Sequence, residues 1–179
     1  NQKIKDQLHA MWTQIALRFK KKGNFLMFES MNEIHDGKWG YGDNLADGGR
    51  QHEIVNEWNQ VFVDAVRATG GKNKQRYLGV PGYCTNINLT LKYFRFPTDK
   101  AKDRLVLSVH YYDPHLFTLE NQWNEWGYQA PQNKGQRTDE NHVDSIFQLL
   151  KTTYVDKGIP VYIGEFGCTR RADAAQEHY

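Results

Sequence analysis

Apolar residues recur at steps of three and four through positions 3–22, where Ile4, Leu8, Met11, Trp12, Ile15 and Phe19 fall on one face. That spacing predicts an amphipathic helix, and Gly23 supplies its stop. The pattern then changes to a short apolar run over 25–31, which reads as a strand. Residues 36–51 hold five glycines and no periodicity, so they read as a long loop of the kind that carries function or stays unstructured. A second helix is predicted over 52–69, with Ile54, Val55, Trp58, Phe62, Val63 and Val66 on one face and Gly70-Gly71 at its end. The stretch 76–82 reads as a short strand broken by Pro81 and Gly82, and 87–103 as an ambiguous segment with Pro97 interrupting any helix. The run 105–114 is the best strand, and 115–136, rich in Trp, Asn and Gln, is another long loop. A helix over 139–157 shows Val143, Ile146, Leu149, Leu150 and Tyr154, a strand over 159–165 follows, and 169–179 reads as the start of a further helix.

Strands alternating with helices argue for an α/β fold in which parallel strands are joined by crossovers. The strands are nearly continuous apolar runs, as expected when both faces are covered. The long loops follow strands and the short turns follow helices, so chemistry is expected at the carboxyl ends of the strands. Four such strands make half of a closed eight-stranded barrel.

Composition narrows the partners. The 23 basic and 21 acidic residues leave a formal charge of +2, which predicts neither a nucleic-acid nor a membrane-surface partner. The Lys20-Lys21-Lys22 run sits where the first helix should end and complements its dipole. No run approaches the roughly 18 apolar residues of a membrane span. A chain opening on Asn1-Gln2, without an initiator Met or a signal peptide, is expected to be a processed or truncated product. Cys84 and Cys168 make neither a disulfide framework nor a zinc spacing, and a bond between them would need loop excursions. Residues 43–48 carry oxygens at the wrong alternate positions for a calcium loop. The 24 aromatic residues (5 Trp, 10 Tyr, 9 Phe) serve a core first, but they also provide flat faces for ring-shaped ligands.

The candidate chemistry lies at the predicted strand ends: Asn32 and Glu33, Tyr83, His110, Tyr111 and Tyr112, and Glu165. Ending two buried strands on glutamates is costly unless the charges are paired or used. Two carboxyl groups that share one cleft disfavour joint ionisation, so one holds a proton while the other stays charged. Glycosidic bond cleavage needs that division: an acid for the leaving oxygen and, about 5–5.5 Å away in retaining enzymes, a carboxylate that attacks the anomeric carbon. His110 and Tyr112 share a strand parity and so point together into the mouth, where a hydroxyl could hold a carboxylate and an imidazole a sugar hydroxyl. Each group alone also fits an ordinary packing or salt-bridge role; the joint pattern favours chemistry.

The segments 28-FESMNEIHDG-37, 109-VHYYDP-114 and 161-VYIGEFG-167, with 54-IVNEWNQVFVDAVRATGGKNKQRYLGVPGYCTN-86 between them, resemble glycoside hydrolase family 5, and within it the endoglucanases and xyloglucanases. The resemblance runs from about residue 5 to 168. It implies a (β/α)8 barrel, a secreted or cell-surface protein, a β-1,4-glucan or xyloglucan substrate, and catalysis that needs no metal or cofactor. Residue by residue, it implies that Glu33 is the acid/base and Glu165 the nucleophile. Asn32 would then bind the sugar's 2-hydroxyl, Tyr112 orient Glu165, and His110 line the cleavage subsite. Tyr83 would border the cleft, and Trp39, Tyr41, Trp123 and Trp126 would be stacking platforms for glucosyl rings or caps on the core.

Relative to that family, the chain corresponds to roughly strands four to seven and lacks the first three strands and the last. Two unpaired edges and an open interior predict association, through a homo-oligomer or a bound complementary fragment. The resemblance leaves open a xyloglucanase, xylanase or mannanase on the same scaffold. It also leaves open a truncated, non-catalytic oligomer that folds and binds glucan.

Overall fold

A computed structural model describes residues 2–37, 48–120, 126–127 and 140–170. Its elements are α1 (Gln2–Arg18), β1 (Phe28–Glu29), α2 (Arg50–Ala68), β2 (Leu78–Asn86), α3 (Ile87–Tyr93), β3 (Leu105–Tyr111), α4 (His115–Thr118), α5 (Glu140–Thr153) and β4 (Val161–Phe166). The strands form one parallel sheet in the order β1-β2-β3-β4. Sequential parallel strands joined through helices are half of the (β/α)8 architecture. None of the described helices is long and apolar enough to cross a membrane.

Alternate residues of each strand turn toward the helices. Phe28, Leu78 and Val80 join Trp12, Ala16, Phe62, Val63, Ala65 and Val66 in one core, and Leu107 and Val109 join Ile87, Ile146, Leu150 and Tyr154 in a second. The intervening positions, among them Glu29, Gly79, Ser108 and His110, line the other face of the sheet. Buried Asn59 of α2 ties the first two strands together: it accepts from the Ser30 hydroxyl at 2.6 Å and donates to the Pro81 carbonyl at 2.8 Å.

Several boundaries differ from the sequence reading. Helix α1 ends at Arg18, and the Lys20–Lys22 stretch forms turns beyond it, because Arg76 takes the carbonyls of Phe19 and Lys22 that a longer helix would use. Strand β1 pairs over two residues only, extended by the Ser30 N–H to the Gly79 carbonyl at 3.0 Å. Strand β2 runs through Pro81 and Gly82 to Asn86 instead of breaking there. Gly82 is required in this path, since a Cβ would run into the Thr90 hydroxyl. The Asn86 side chain then accepts from the Leu89 N–H at 3.0 Å and starts α3, which resolves the ambiguous segment. The loop after β3 opens with the four-residue helix α4. Of the helix expected over 169–179, residues 169 and 170 are not helical and 171–179 lie outside the described residues. Cys84 and Cys168 are not disulfide-bonded.

Below the sheet, Arg67 of α2 makes a two-pronged bond to Asp99, Nε to Oδ1 at 2.8 Å and Nη2 to Oδ2 at 2.7 Å, with both side chains under a tenth exposed. Burial alone would raise the Asp99 carboxyl, but the Arg67 bonds and the Ala101 N–H outweigh it and hold the pKa below its ordinary 3.8. A folded-state pKa below the unfolded one stabilises the fold at pH values above the unfolded pKa, and this contribution is lost as pH falls from there through the folded value. Asp99→Asn should therefore lose about 3 kcal/mol near neutrality, the low end for leaving a buried charge uncompensated. That corresponds to a Tm fall of roughly 6–12 °C. Thermal melts of parent and variant should converge below about pH 3.8; a gap that stays constant into acid would contradict the role of the ionised pair.

Candidate active site

Because the strands are parallel, their carboxyl ends open on one side, and the residues that follow them meet there. Glu33 follows β1 by four residues, His110 is the last residue but one of β3 with Tyr112 just beyond the strand, and Glu165 lies in β4. A shift in the β3–β4 register after Val109 pairs His110 with Glu165 instead of Gly164. This one-residue slip reverses the parity of β4, which otherwise turns Val161 and Ile163 toward α5. Gly164 suits the crossing, since a Cβ there would lie 3.3 Å from His110 Nε2.

His110 Nδ1 stands 2.7 Å from Glu33 Oε1 and 3.6 Å from Glu165 Oε2. Carboxylate oxygens of Glu33 and Glu165 come within 4.8 Å of each other. The imidazole is 5% exposed, whereas the two carboxyl side chains are 23% and 42% exposed, so a buried ring aligns two groups that face solvent. The Tyr112 hydroxyl donates to Glu165 Oε2 at 3.2 Å. Burial, then the charge of Glu165, raises the Tyr112 pKa above its ordinary value of 10.0, so the hydroxyl remains a donor across the neutral range. The trio Glu33, His110 and Glu165 is also the one cluster among the described residues with donors close enough for a metal ion. Ligands about a tetrahedral ion at 2.0–2.1 Å stand roughly 3.3–3.5 Å apart. The 2.7 Å contact is instead a hydrogen bond, and it accounts for the arrangement.

Other predicted site residues fall differently. Asn32 is exposed beside Glu33, and Trp126 is 39% exposed on its loop. Trp39, Tyr41 and Trp123 lie outside the described residues. Tyr83 is corrected: at 3% exposure it does not border an open cleft. Its hydroxyl accepts from the Asp36 N–H at 2.8 Å and donates to Asp36 Oδ1 at 2.6 Å. Burial, then the bond to Asp36, pushes its pKa up to about 12. Sequence reasoning missed Asp36, and it missed Glu29, which reaches across Gly79 to accept from the Ser108 hydroxyl. A carboxylate inside the apolar run 25–31 was the available signal for Glu29.

A parallel half-barrel whose strand ends bring two glutamates together around one imidazole defines a class of carboxylate-paired β/α-barrel proteins. The chain belongs to glycosyl hydrolase family 5, whose cellulase model it matches along residues 1–179. It is 36% identical to endoglucanase A of Paenibacillus barcinonensis, over 98% of this chain and 47% of that protein. It is 35% identical to a xyloglucan-specific endo-beta-1,4-glucanase of Bacteroides ovatus, over 94% of this chain and 34% of that protein. Among solved structures it superposes on a GH5-4 broad specificity endoglucanase from Bacteroides salanitronis with a TM-score of 0.91 and 58% identity, covering 99% of this chain and 48% of the other. The chain thus spans about half the length, or less, of the relatives it matches.

Proposed function

We propose that this chain carries the catalytic pair of a retaining endo-β-1,4-glucanase. The observation that carries the reading is the approach of the Glu33 and Glu165 oxygens to within 4.8 Å. Such an approach suits a nucleophile and an acid/base, whereas inverting enzymes hold their carboxyl groups about 6.5–9.5 Å apart to admit a water. Glu33 protonates the glycosidic oxygen while Glu165 attacks the anomeric carbon, the bond to the leaving chain breaks, and a glycosyl ester forms. Glu33 then takes a proton from water, which displaces Glu165 and releases the sugar with its configuration retained. The Tyr112 hydrogen bond fixes the attacking carboxylate, His110 fixes Glu33, and Asn32, exposed beside Glu33, would meet the 2-hydroxyl. Xyloglucan joins linear β-glucan as a substrate in this reading, because one relative is named for it.

The open edges enter the same reading. Phe25 and Phe166, 85% and 75% exposed, lie beside β1 and in β4, the two strands with a free side. A second copy or a complementary segment covers them and completes the cleft wall. One preparation tests both points. The purified chain should release reducing sugar from barley β-glucan, with the β anomer formed first by proton NMR, and its mass in solution should exceed the 20.9 kDa of one chain. An α anomer as first product would overturn the retaining pair, and a stable single-chain particle would overturn the assembly.

A further inference from the structure

Only three of the described non-glycine residues have positive φ, and two of them are adjacent: Cys84 at 59° and Thr85 at 54°. The third, Asp103, sits in an exposed turn. Left-handed backbone is unfavourable for any residue with a Cβ, and it persists only where its surroundings over-determine it. Here the surroundings are the interior, since Cys84 is 6% exposed and Thr85 is fully buried. The pair lies in the stretch between Pro81 and Asn86 where β2 loses register with β3.

What this excursion reaches is the segment that carries Glu33. Beyond Ser30 that segment has no ladder of its own, because β1 pairs only through Glu29 and one further backbone bond. The detour supplies the missing supports. The Cys84 N–H donates to the Ile34 carbonyl at 2.9 Å, and Tyr83 holds both the N–H and the carboxylate of Asp36. Met31 and Ile34 pack on the cluster of Val55, Tyr83, Cys84 and Leu89. The backbone on the far side of Glu33 is therefore clamped at Ile34 and Asp36 by one strained loop, while His110 clamps the carboxyl itself.

We propose that the left-handed turn at Cys84-Thr85, acting through Tyr83 and Asp36, positions the acid/base Glu33, with Tyr83 as a positioning residue. The inference rests on the function proposed above, but its first test does not. By amide exchange on the intact chain, Tyr83→Phe should speed exchange at Ile34–Gly37 at least about tenfold while the β3 core stays as protected as in the parent. Unchanged exchange at 34–37 overturns the proposal whatever the activity.

The second test reads the role. Misplacing a catalytic group by about an ångström costs on the order of 100-fold, so Tyr83→Phe should lower kcat on β-glucan by roughly 10- to 100-fold with KM within about twofold. Formation of the glycosyl ester from a dinitrophenyl β-cellobioside, whose leaving group needs no proton, should stay near the parent rate. Equal losses on both substrates would mark Tyr83 as a general structural residue and overturn the assignment. A parent that cleaves neither substrate would count against the proposed function alone, with the exchange result still deciding the clamp.

Discussion

Glu165→Gln should lower β-glucan hydrolysis by at least about a thousandfold, the scale on which losing a group aimed at transition-state charge is felt. The loss should be larger still because no ester can form. The side chain is 42% exposed and its amide can still accept from Tyr112, so the variant should melt within a degree or two of the parent. Glu33→Gln should differ in kind. Removing a general acid costs about 10²–10⁴ on a substrate whose alcohol must be protonated, and far less on the first step with an activated aryl glycoside. The ester should then accumulate, because Glu33 is also needed to activate water. Parallel assays of both variants on β-glucan and on the aryl substrate separate the roles. Residual glucan hydrolysis by Glu165→Gln above a hundredth of the parent rate would show that the nucleophile lies elsewhere.

Arg76→Met should be strongly destabilising. Arg76 is 1% exposed, and among the described residues no carboxylate pairs with it. Its guanidinium instead donates to Asn73 Oδ1 at 2.7 Å and to the carbonyls of Leu26 at 2.6 Å, Lys22 at 2.8 Å, Phe19 at 3.1 Å and Gly23 at 3.2 Å, and it stacks 4.7 Å from the Phe28 ring centre. Burial, then the charge of Arg67, lowers its pKa, yet a guanidinium keeps its proton at any ordinary pH. One side chain thus satisfies the turn that leads from α1 into β1. Methionine fills the volume and leaves those acceptors dry. At about 1–3 kcal/mol per buried unsatisfied group, and allowing that some reach water, the loss should be at least about 4 kcal/mol. Arg76→Lys should recover less than half, because an ammonium cannot span five acceptors with three donors. Denaturant titration of the three proteins checks the order; a methionine variant as stable as the lysine one would mean the network contributes packing only.

The helices were legible because each buries one face, and periodicity records that directly. Val63 and Val66 of α2, or Ile146 and Leu150 of α5, meet the core at the positions their spacing implies. Glu33 and Glu165 were legible because a carboxylate closing an apolar run is a local anomaly. What stayed hidden was set by distant partners. Nothing near Arg76 in sequence distinguishes it from a surface arginine, since its carbonyl partners lie 50 to 57 residues earlier. Tyr83 looked like a cleft residue because it follows a strand, but the left-handed turn after it carries it inside. Strand β1 read as seven residues from its apolar run, whereas its ladder with β2 spans two.

The two proposed catalytic groups stand on opposite margins of the sheet, one leaving β1 and the other in β4. Three strand spacings of about 4.8 Å separate those margins along the sheet, roughly 14 Å in all. The carboxylates nevertheless approach within 4.8 Å, with His110 between them. Curl and inward reach make up the difference, so the carboxylate gap behaves as a caliper whose jaws are the outermost strands. A slight flattening would open the jaws while every core contact on the helix side survived. Activity is then a finer gauge of the sheet's curvature than any melting temperature, and whatever grips the two margins also sets the gauge.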